Sequence, residues 1–292
     1  MSEEKVAQEG IPEGAPEDCG GSCSSCGVSG CGSRTENQAP AKYQPNKRSE
    51  IKKVISVVSG KGGVGKSLVT SLLASELARQ GLKVGILDAD VTGPSIPKAF
   101  GAEGAPAPDA DGINPIETPE GIKIISVNLL LPSDDTPVAW RGPVITGILN
   151  QFFSEVNWGE LDVLLIDMPP GTSDVFLTVF QMFPVDGIVT VSAPQELVAM
   201  IVGKAVNLAH SMEVPVIGLV ENMAYFKCDG CAKEHHIFGE PQGEAVAAKY
   251  GIPAVATLPM DPTFAAAVDA GRVYDYDTEG ALSQILDAIE KA

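Results

Sequence analysis

The segment that most constrains this chain is a nine-residue run, SGKGGVGKS, at Ser59–Ser67. It follows the apolar run Val54–Val58 and precedes a helical pattern, which is the strand–loop–helix context of a phosphate-binding P-loop. Glycines let backbone N–H groups converge on phosphate oxygens, and the start of the helix adds a positive dipole end. We therefore predict a nucleotide site whose phosphate contacts come from Gly60, Lys61, Gly62, Gly63, Val64, Gly65, Lys66 and Ser67.

Three side chains of this loop have separate predicted roles. Lys66 can reach the β- and γ-phosphates of a nucleotide, and the Ser67 hydroxyl can ligate Mg²⁺. Lys61 is a second lysine near the start of the loop, which marks a subset of P-loop proteins. Every position of the motif and its context agree, which argues against a plain glycine-rich turn.

Apolar runs alternate with helical patterns from Ile51 onward, and this alternation predicts an α/β P-loop NTPase with a mostly parallel central sheet covered by helices on both faces. A Gly/Pro/Ala-rich insertion at Gly101–Pro119 is predicted to be a surface loop or hairpin. The predicted strands are Val54–Val58, Val84–Leu87, Ile122–Val127, Val163–Ile166, Ile188–Val191, Val214–Val220 and Ala254–Leu258, and the predicted helices include Leu68–Gln80, Val144–Val156, Glu196–Ser211 and Gly243–Lys249.

The first 50 residues differ in composition from the rest of the chain. They are rich in Gly, Ser, Pro and Glu and have almost no large apolar residues, so they cannot bury enough surface to fold alone. We predict a flexible, cysteine-rich N-terminal extension at 1–50, which a metal can organise, and an ATPase domain at 51–292. The locally basic stretch Lys42–Lys53 is interpreted as a solvated linker.

Charge and hydropathy exclude several classes of partner. The formal net charge is −18, which argues against binding nucleic acid through a broad basic surface. No apolar stretch approaches the roughly 18 residues of a membrane span, and the N-terminus lacks the apolar region of a signal peptide. We therefore expect a cytoplasmic protein with neither a nucleic acid nor a membrane as partner.

Polar residues at the ends of the predicted strands complete the predicted nucleotide site, because ligands bind at the carboxyl edge of a parallel sheet. Asp90 is predicted to orient the water that attacks the γ-phosphate, and Asp88 to hold the loop or an outer-shell water. Asp167 ends an apolar strand and is predicted to hold Mg²⁺. Gly171 can donate its N–H to the γ-phosphate, and Asn222 suits the adenine edge because it has both a donor and an acceptor.

Cys228 and Cys231 form a C-x₂-C pair just after the strand that leads to Asn222. This spacing lets two thiolates converge on one metal, but two cysteines do not complete a four-ligand site. A second chain can supply the missing pair around a shared [4Fe–4S] cluster. His235 or His236 joining them around Zn²⁺, or a dithiol/disulfide switch, are the alternatives.

A second group of cysteines lies in the N-terminal extension. Cys19, Cys23, Cys26 and Cys31 place four thiolates within 13 residues. Intervening Gly and Ser residues allow tight wrapping and leave N–H groups free to donate to cluster sulfurs. A [4Fe–4S] cluster is favoured over structural zinc.

These motifs together resemble the Mrp/Nbp family of iron–sulfur cluster carrier P-loop ATPases over about residues 51–290. The wider class includes the nitrogenase iron protein and the Min and Par ATPases. The resemblance is carried by Ser59–Ser67, Asp88-Ala89-Asp90 with Gly93-Pro94-Ser95, Trp140-Arg141-Gly142-Pro143, Asp167-Met168-Pro169-Pro170-Gly171-Thr172, Glu221-Asn222-Met223 and Cys228-x₂-Cys231.

The resemblance implies a homodimer whose two P-loops face each other, with Lys61 reaching the phosphates bound by the other subunit. It also implies one [4Fe–4S] cluster held by Cys228 and Cys231 of both subunits. The N-terminal cysteine group resembles an extension found in one branch of the family, where a longer stretch than the three residues after Cys19 separates the first two cysteines.

The predicted function is that of an ATP-binding and ATP-hydrolysing carrier, which assembles [4Fe–4S] clusters or transfers them to apo iron–sulfur proteins. ATP binding or hydrolysis is expected to gate cluster loading or release, and a related ATPase is a possible further partner. The alternatives are an ATP-dependent electron donor resembling the nitrogenase iron protein, and a Min/Par-type positioning ATPase. The positioning ATPase is disfavoured because Ala281–Ala292 is short and not basic, which makes a poor membrane-surface helix.

Overall fold

The computed structural model describes residues 42–90, 95–130, 142–171, 174–194 and 198–292, which belong to one compact unit. Its strands are β1 Glu50–Ser59, β2 Val84–Asp88, β3 Ala107–Asp109, β4 Gly112–Asn114, β5 Ile116–Glu117, β6 Lys123–Ser126, β7 Glu160–Asp167, β8 Gly187–Ser192, β9 Val216–Glu221, β10 Phe226–Lys227, β11 Glu234–His235 and β12 Val255–Thr257. Its helices are α1 Lys66–Arg79, α2 Ser95–Ala99, α3 Gly142–Ser154, α4 Asp174–Met182, α5 Val198–Ser211, α6 Gly243–Tyr250, α7 Pro262–Asp269 and α8 Ser283–Lys291, with 3-10 turns at Val127–Leu130 and Val273–Asp275.

Eight of the described strands form one sheet in the order β12-β9-β8-β1-β7-β2-β6-β5. All neighbouring pairs are parallel except β5 and β6 at one edge. The mostly parallel sheet is therefore confirmed, and each predicted apolar run overlaps one of its strands. β1 lies between β7 and β8, so the loop that follows β1 starts from the middle of the carboxyl edge.

Helices cover both faces of this sheet, as predicted. Alternate residues of β1 point into two separate cores because successive side chains of a strand face opposite sides. Ile55 and Val57 belong to the core under α1 and α8. Val54 and Val58 belong to the core that contains Phe152 and other aromatic residues of α3 and α4. Burial on both faces explains why these strands are almost continuously apolar.

The start of the compact unit differs from the sequence prediction. The Tyr43 ring packs 5.7 Å from the Phe183 ring, and Arg48 forms ion pairs with Asp109 and Asp111. β1 begins at Glu50, inside the lysine-rich stretch. The prediction of a solvated linker over Lys42–Lys53 is therefore wrong for Arg48, Lys52 and Lys53, because these three residues have partners elsewhere in the domain.

The insertion at Gly101–Pro119 contains the antiparallel hairpin β3–β4, in agreement with the prediction of a loop or hairpin. Of the helices in the described ranges, none combines the length and the apolar character that crossing a membrane requires.

Candidate functional site

The P-loop joins β1 to α1, and its glycines are required by its backbone geometry. Gly63 and Gly65 have φ angles of 80° and 81°, in the left-handed region that favours glycine. A Cβ atom on Gly65 would also lie 2.3 Å from the Nδ2 atom of Asn222. Gly65 therefore allows both the turn into α1 and the close approach of Asn222.

The Lys66 side chain lies at the centre of a buried charged cluster. Its Nζ atom is 2.7 Å from Asp167 Oδ2, 3.7 Å from Asp90 Oδ2 and 3.2 Å from Ser67 Oγ. Only 5% of the Lys66 side chain is exposed, so these charges interact in a poorly hydrated environment. The structure thus brings together four residues that the sequence analysis assigned to one nucleotide site.

Asp167 ends β7 and is completely buried. Its Oδ2 atom accepts a hydrogen bond from Ser67 Oγ at 2.5 Å, and its Oδ1 atom accepts one from Thr70 Oγ1 at 2.7 Å. A carboxylate beside a hydroxyl is an all-oxygen donor set, which suits a hard cation such as Mg²⁺. Thr70 was missed by the sequence analysis, although it lies on the same face of α1 as Ser67, one turn further on.

Asp88 and Asp90 have different environments. Asp88 is buried, accepts a hydrogen bond from Ser126 Oγ at 2.8 Å, and accepts one from the backbone N–H of Asp90 at 3.1 Å. Burial, and then the nearby charge of Asp167, raise the pKa of Asp88 well above its ordinary value. Asp88 therefore supports the loop, while the Asp90 side chain is directed toward Lys66.

Two further predicted residues contact the P-loop strand and the P-loop directly. The backbone N–H of Gly171, a residue with a φ of 81°, donates to the Ser59 carbonyl at 2.9 Å. Asn222 Nδ2 donates to the Val64 carbonyl at 2.9 Å, and only 5% of the residue is exposed. Their contacts with phosphate and adenine remain predictions, but both residues lie beside the loop that would hold the nucleotide.

A cavity of about 900 Å³ opens beside Asn222 and Leu72 of α1. No sequence motif predicts this cavity, because its walls come from segments far apart in the chain. Three segments supply most of its lining, namely Tyr225–Asp229, Leu258–Phe264 and Asp275–Glu279.

The polar wall of this cavity is fixed by Asp261. One carboxylate oxygen caps α7 by accepting from the Thr263 N–H at 2.7 Å, and the other accepts from the Tyr276 hydroxyl at 2.8 Å. Burial, with this hydrogen bond, raises the pKa of Tyr276 far above its ordinary value. The Tyr276 hydroxyl is therefore a stable donor at physiological pH.

Cys228 and Cys231 lie in the turn between β10 and β11. The Cys228 N–H donates to the Lys233 carbonyl at 3.0 Å, and the Cys228 carbonyl accepts from the Ala232 N–H at 2.8 Å. Backbone N–H groups of Gly230 and Cys231 lower the pKa of the Cys228 thiol. This turn favours the thiolate form, which is the form that binds metals.

One of the two histidines near this hairpin, His236, has other partners. His236 Nδ1 lies 3.2 Å from the Ala224 carbonyl, and Nε2 lies 3.5 Å from Glu240. Within the described ranges, no group of three or more His, Cys, Asp or Glu side chains could hold a metal ion. The alternative of a zinc site completed by His235 or His236 therefore gains no support from this part of the chain.

Both ends of the cysteine hairpin are attached to the end of β9. Asn222 begins the segment, and Glu221 fixes its return. Glu221 is completely buried and accepts from the Gln242 N–H at 3.0 Å and the Gly243 N–H at 2.7 Å. Glu221 thus holds the start of α6, and it was missed as a positioning residue.

Some sequence predictions lie outside the described residues. They are the N-terminal cysteines Cys19, Cys23, Cys26 and Cys31, the segment Gly93-Pro94, the pair Trp140-Arg141 and the residue Thr172.

A family model described as ParA, NUBPL iron-transfer P-loop NTPase matches residues 50–292. The iron-sulfur cluster carrier protein of Clostridium perfringens is 47% identical over 280 residues, covering 91% of this chain and 98% of that protein. The cytosolic Fe-S cluster assembly factor CFD1 of Eremothecium gossypii is 40% identical, covering 78% of this chain and 84% of that protein.

Solved structures give the same result for the fold. A nucleotide-binding protein from Archaeoglobus fulgidus, described as a complex with ADP, is 46% identical with a TM-score of 0.71, covering 78% of this chain and 89% of that one. The septum site-determining protein MinD of Pyrococcus horikoshii is 22% identical with a TM-score of 0.55, covering 82% and 95%. The MinD likeness shows a shared fold only.

Proposed function

This chain belongs to the ParA family of P-loop NTPases, in its NUBPL iron-transfer group, and on that premise we propose that it is an ATP-dependent iron–sulfur cluster carrier. The observation that carries the proposal is the position of the C-x₂-C hairpin, which leaves the sheet directly after Asn222, a residue hydrogen-bonded to the P-loop. Relatives with 47% and 40% identity are named as a cluster carrier and a cluster assembly factor, which supports the same function.

The nucleotide substrate is ATP, and its phosphates bind to the backbone of Gly60–Gly65. Lys66 leaves its contact with Asp167 for the β- and γ-phosphates, because the nucleotide supplies a larger negative charge. Ser67 and Asp167 would hold Mg²⁺, which neutralises charge on the phosphates when it is bound. The base occupies the cavity beside Asn222, because that cavity adjoins the residue that is hydrogen-bonded to the P-loop.

Hydrolysis uses Asp90 to orient water in line with the γ-phosphate, giving ADP and inorganic phosphate. When ATP is bound, Gly171 gives up its hydrogen bond to Ser59 and donates to the γ-phosphate instead. Lys61 acts from the second subunit of a homodimer as a positive charge on the same phosphates. Gly171 and Lys61 thus place a donor and a positive charge where negative charge develops.

The cargo is a [4Fe–4S] cluster held between two copies of the chain. Each copy supplies Cys228 and Cys231 from one turn, and the backbone N–H groups of that turn lower the pKa of the Cys228 thiol. The absence of a third ligand among the described residues agrees with a site that two subunits share. Cys19, Cys23, Cys26 and Cys31 would hold a second [4Fe–4S] cluster in the N-terminal extension.

ATP binding or hydrolysis gates the loading or release of the bridging cluster, and the acceptors are apo iron–sulfur proteins. A related ATPase is a further possible partner. A Lys66→Ala variant is expected to lose nucleotide binding and to slow cluster transfer to an apo-acceptor. An unchanged transfer rate in this variant would contradict the coupling.

The proposal is tested by measuring iron and labile sulfide per dimer in anaerobically purified protein. Wild type is expected to contain both clusters, the Cys228→Ala/Cys231→Ala variant only the N-terminal one, and a truncation through Arg34 only the bridging one. Zinc without labile sulfide would overturn the cluster assignments. A stable cluster whose electron transfer outruns its transfer to acceptors would favour an electron donor instead.

A further inference from the structure

The cavity beside Asn222 also reaches the cysteine hairpin of the same subunit. Its lining includes Asn222 and Leu72, which belong to the nucleotide side. The same lining includes Cys228 and Asp229, the first two residues of the C-x₂-C turn. One continuous space therefore joins the two sites whose coupling the carrier function requires.

The walls of this cavity suit the base and ribose of a nucleotide. Its volume of about 900 Å³ lies within the range of ligand pockets. Leu258, Pro259 and the rings of Phe264 and Tyr276 provide apolar and aromatic surface, and the two rings lie 4.8 Å apart. When the phosphates of a nucleotide occupy the P-loop, its base and ribose are the parts that can extend past Asn222 into this cavity.

The two cysteines relate differently to the cavity. Cys228 is half-buried and forms part of the lining, whereas Cys231 is exposed and does not line it. A group that fills the cavity therefore covers the inner thiol and leaves the outer one accessible. The hairpin cannot shift toward the cavity while that group is present, because the two occupy adjoining space.

We infer that the adenosine half of the bound nucleotide lies against the cysteine hairpin and covers Cys228 in the same subunit. This inference rests on the proposed function. If the chain is a cluster carrier, contact between adenosine and Cys228 makes the binding of nucleotide and the binding of cluster interdependent within one subunit. Binding linkage is reciprocal, so a cluster or adduct at Cys228 changes nucleotide affinity by the same factor that the nucleotide changes cluster affinity. The bound nucleotide can then affect Cys228 of its own subunit without a rearrangement of the dimer.

The test measures thiol alkylation in the full-length, metal-free, reduced protein. Iodoacetamide is applied with no ligand, with saturating Mg–ADP, or with saturating Mg–pyrophosphate, which reaches only the P-loop. The tryptic peptide Cys228–Lys233 contains both cysteines, and tandem mass spectrometry resolves them. Cys231 is thus a control within the same peptide.

Mg–ADP is expected to slow alkylation of Cys228 about tenfold and to change that of Cys231 less than about twofold. Pyrophosphate is expected to change neither. Unprotected Cys228 at saturating ADP would overturn the inference. Equal protection by pyrophosphate would also overturn it, because coupling would then pass through the P-loop or the dimer.

A second arm uses N-ethylmaleimide adducts and needs no pyrophosphate. The Cys231→Ser variant carries the adduct at Cys228, and the Cys228→Ser variant carries it at Cys231. Calorimetry is expected to show ADP bound about tenfold more weakly in the first protein than in the second. Equal affinities would contradict the inference. Neither arm uses a cluster, so a failure here is distinct from a failure of the iron and sulfide measurement.

Discussion

At the scale of single residues, the nucleotide site depends on the positions of four polar side chains, of which Lys66, Thr70 and Asp167 are buried and Ser67 is partly buried. Lys66, Ser67 and Asp167 were predicted together because a P-loop and an acidic strand end converge at the carboxyl edge of a parallel sheet. Thr70 was not predicted, since a threonine inside a helix carries no signal of its own. Its hydrogen bond to Asp167 follows only from the distance between α1 and β7.

Asp90 provides a test at this scale. An Asp90→Asn variant is expected to hydrolyse ATP at least ~100-fold more slowly, because the amide cannot accept the proton of the attacking water. ADP affinity is expected to change little, since the phosphate contacts come from the P-loop backbone. Steady-state phosphate release and calorimetric ADP binding measure the two effects. A variant with a normal hydrolysis rate would remove Asp90 from the mechanism.

At the scale of elements, both ends of the cysteine hairpin are attached to consecutive residues, Glu221 and Asn222. The sequence predicted the C-x₂-C pair but not this attachment. In the sequence, Glu221 is only the polar residue at the end of a strand. Its hydrogen-bond partners, Gln242 and Gly243, lie beyond the hairpin, so no local pattern indicates the contact. The cavity was missed for a similar reason, since the contact between Asp261 and Tyr276 joins two loops whose spacing follows no periodic pattern.

Removing the Glu221 carboxylate should loosen this attachment. Glu221→Ala leaves one buried and one partly buried N–H group without an acceptor, which is expected to cost about 2–4 kcal/mol of unfolding free energy in urea. The bridging cluster is expected to be retained less well, because the return of the hairpin is no longer fixed. Glu244→Ala is the matched control, since Glu244 is an exposed residue in the first turn of the same helix. Similar unfolding curves for the two variants would exclude the role of Glu221.

Asp162 connects β7 to its neighbours and gives a pH-dependent prediction. Its carboxylate accepts hydrogen bonds from Lys52 Nζ and the Lys83 N–H, each at 2.8 Å, and the Lys52 bond is the main cause of its lowered pKa. The stabilisation is therefore complete above the unfolded pKa of about 3.9 and is lost as pH falls through the lower, folded pKa.

The expected contribution of this pair to the free energy of unfolding is small, because 62% of the Lys52 side chain is exposed to solvent. Urea unfolding of wild type and Asp162→Asn at pH 6 and at successively lower pH measures it. The two unfolding free energies should converge as the pH falls. A constant difference across that range would show that the charge of Asp162 is not responsible.

At the scale of the whole molecule, the α/β class, the parallel sheet and its two covered faces were all predicted from alternating apolar and helical patterns. The packing of 42–49 and the polar start of β1 were not, because their partners lie far away in sequence. Arg48 pairs with the tip of the β3–β4 hairpin, and Lys53 donates to carbonyls at the end of α8. Composition alone cannot indicate such distant partners.

The proposal that Lys61 acts on the nucleotide bound by the partner subunit can be tested by mixing two inactive variants. Lys61→Ala and Lys66→Ala proteins are each expected to be inactive in ATP hydrolysis. After exchange at equal concentrations, half of the dimers are mixed and have one complete site, so about a quarter of wild-type activity should return. Two pools of the same variant serve as the control. If mixing restores nothing, Lys61 acts within its own subunit or not at all.

The hairpin that carries Cys228 and Cys231 contributes no strand to the central sheet. It leaves after Asn222 and returns at Gln242, and its strands β10 and β11 pair with each other. Near its start, Ala224 and Tyr225 also form backbone hydrogen bonds with Leu258 and Met260. Changes in the length or sequence of the hairpin therefore need not change the register of the strands in the central sheet. The two attachment residues, Glu221 and Asn222, lie at the end of β9 and not in the turn, so we expect the turn around Cys228 and Cys231 to accept insertions without loss of the fold.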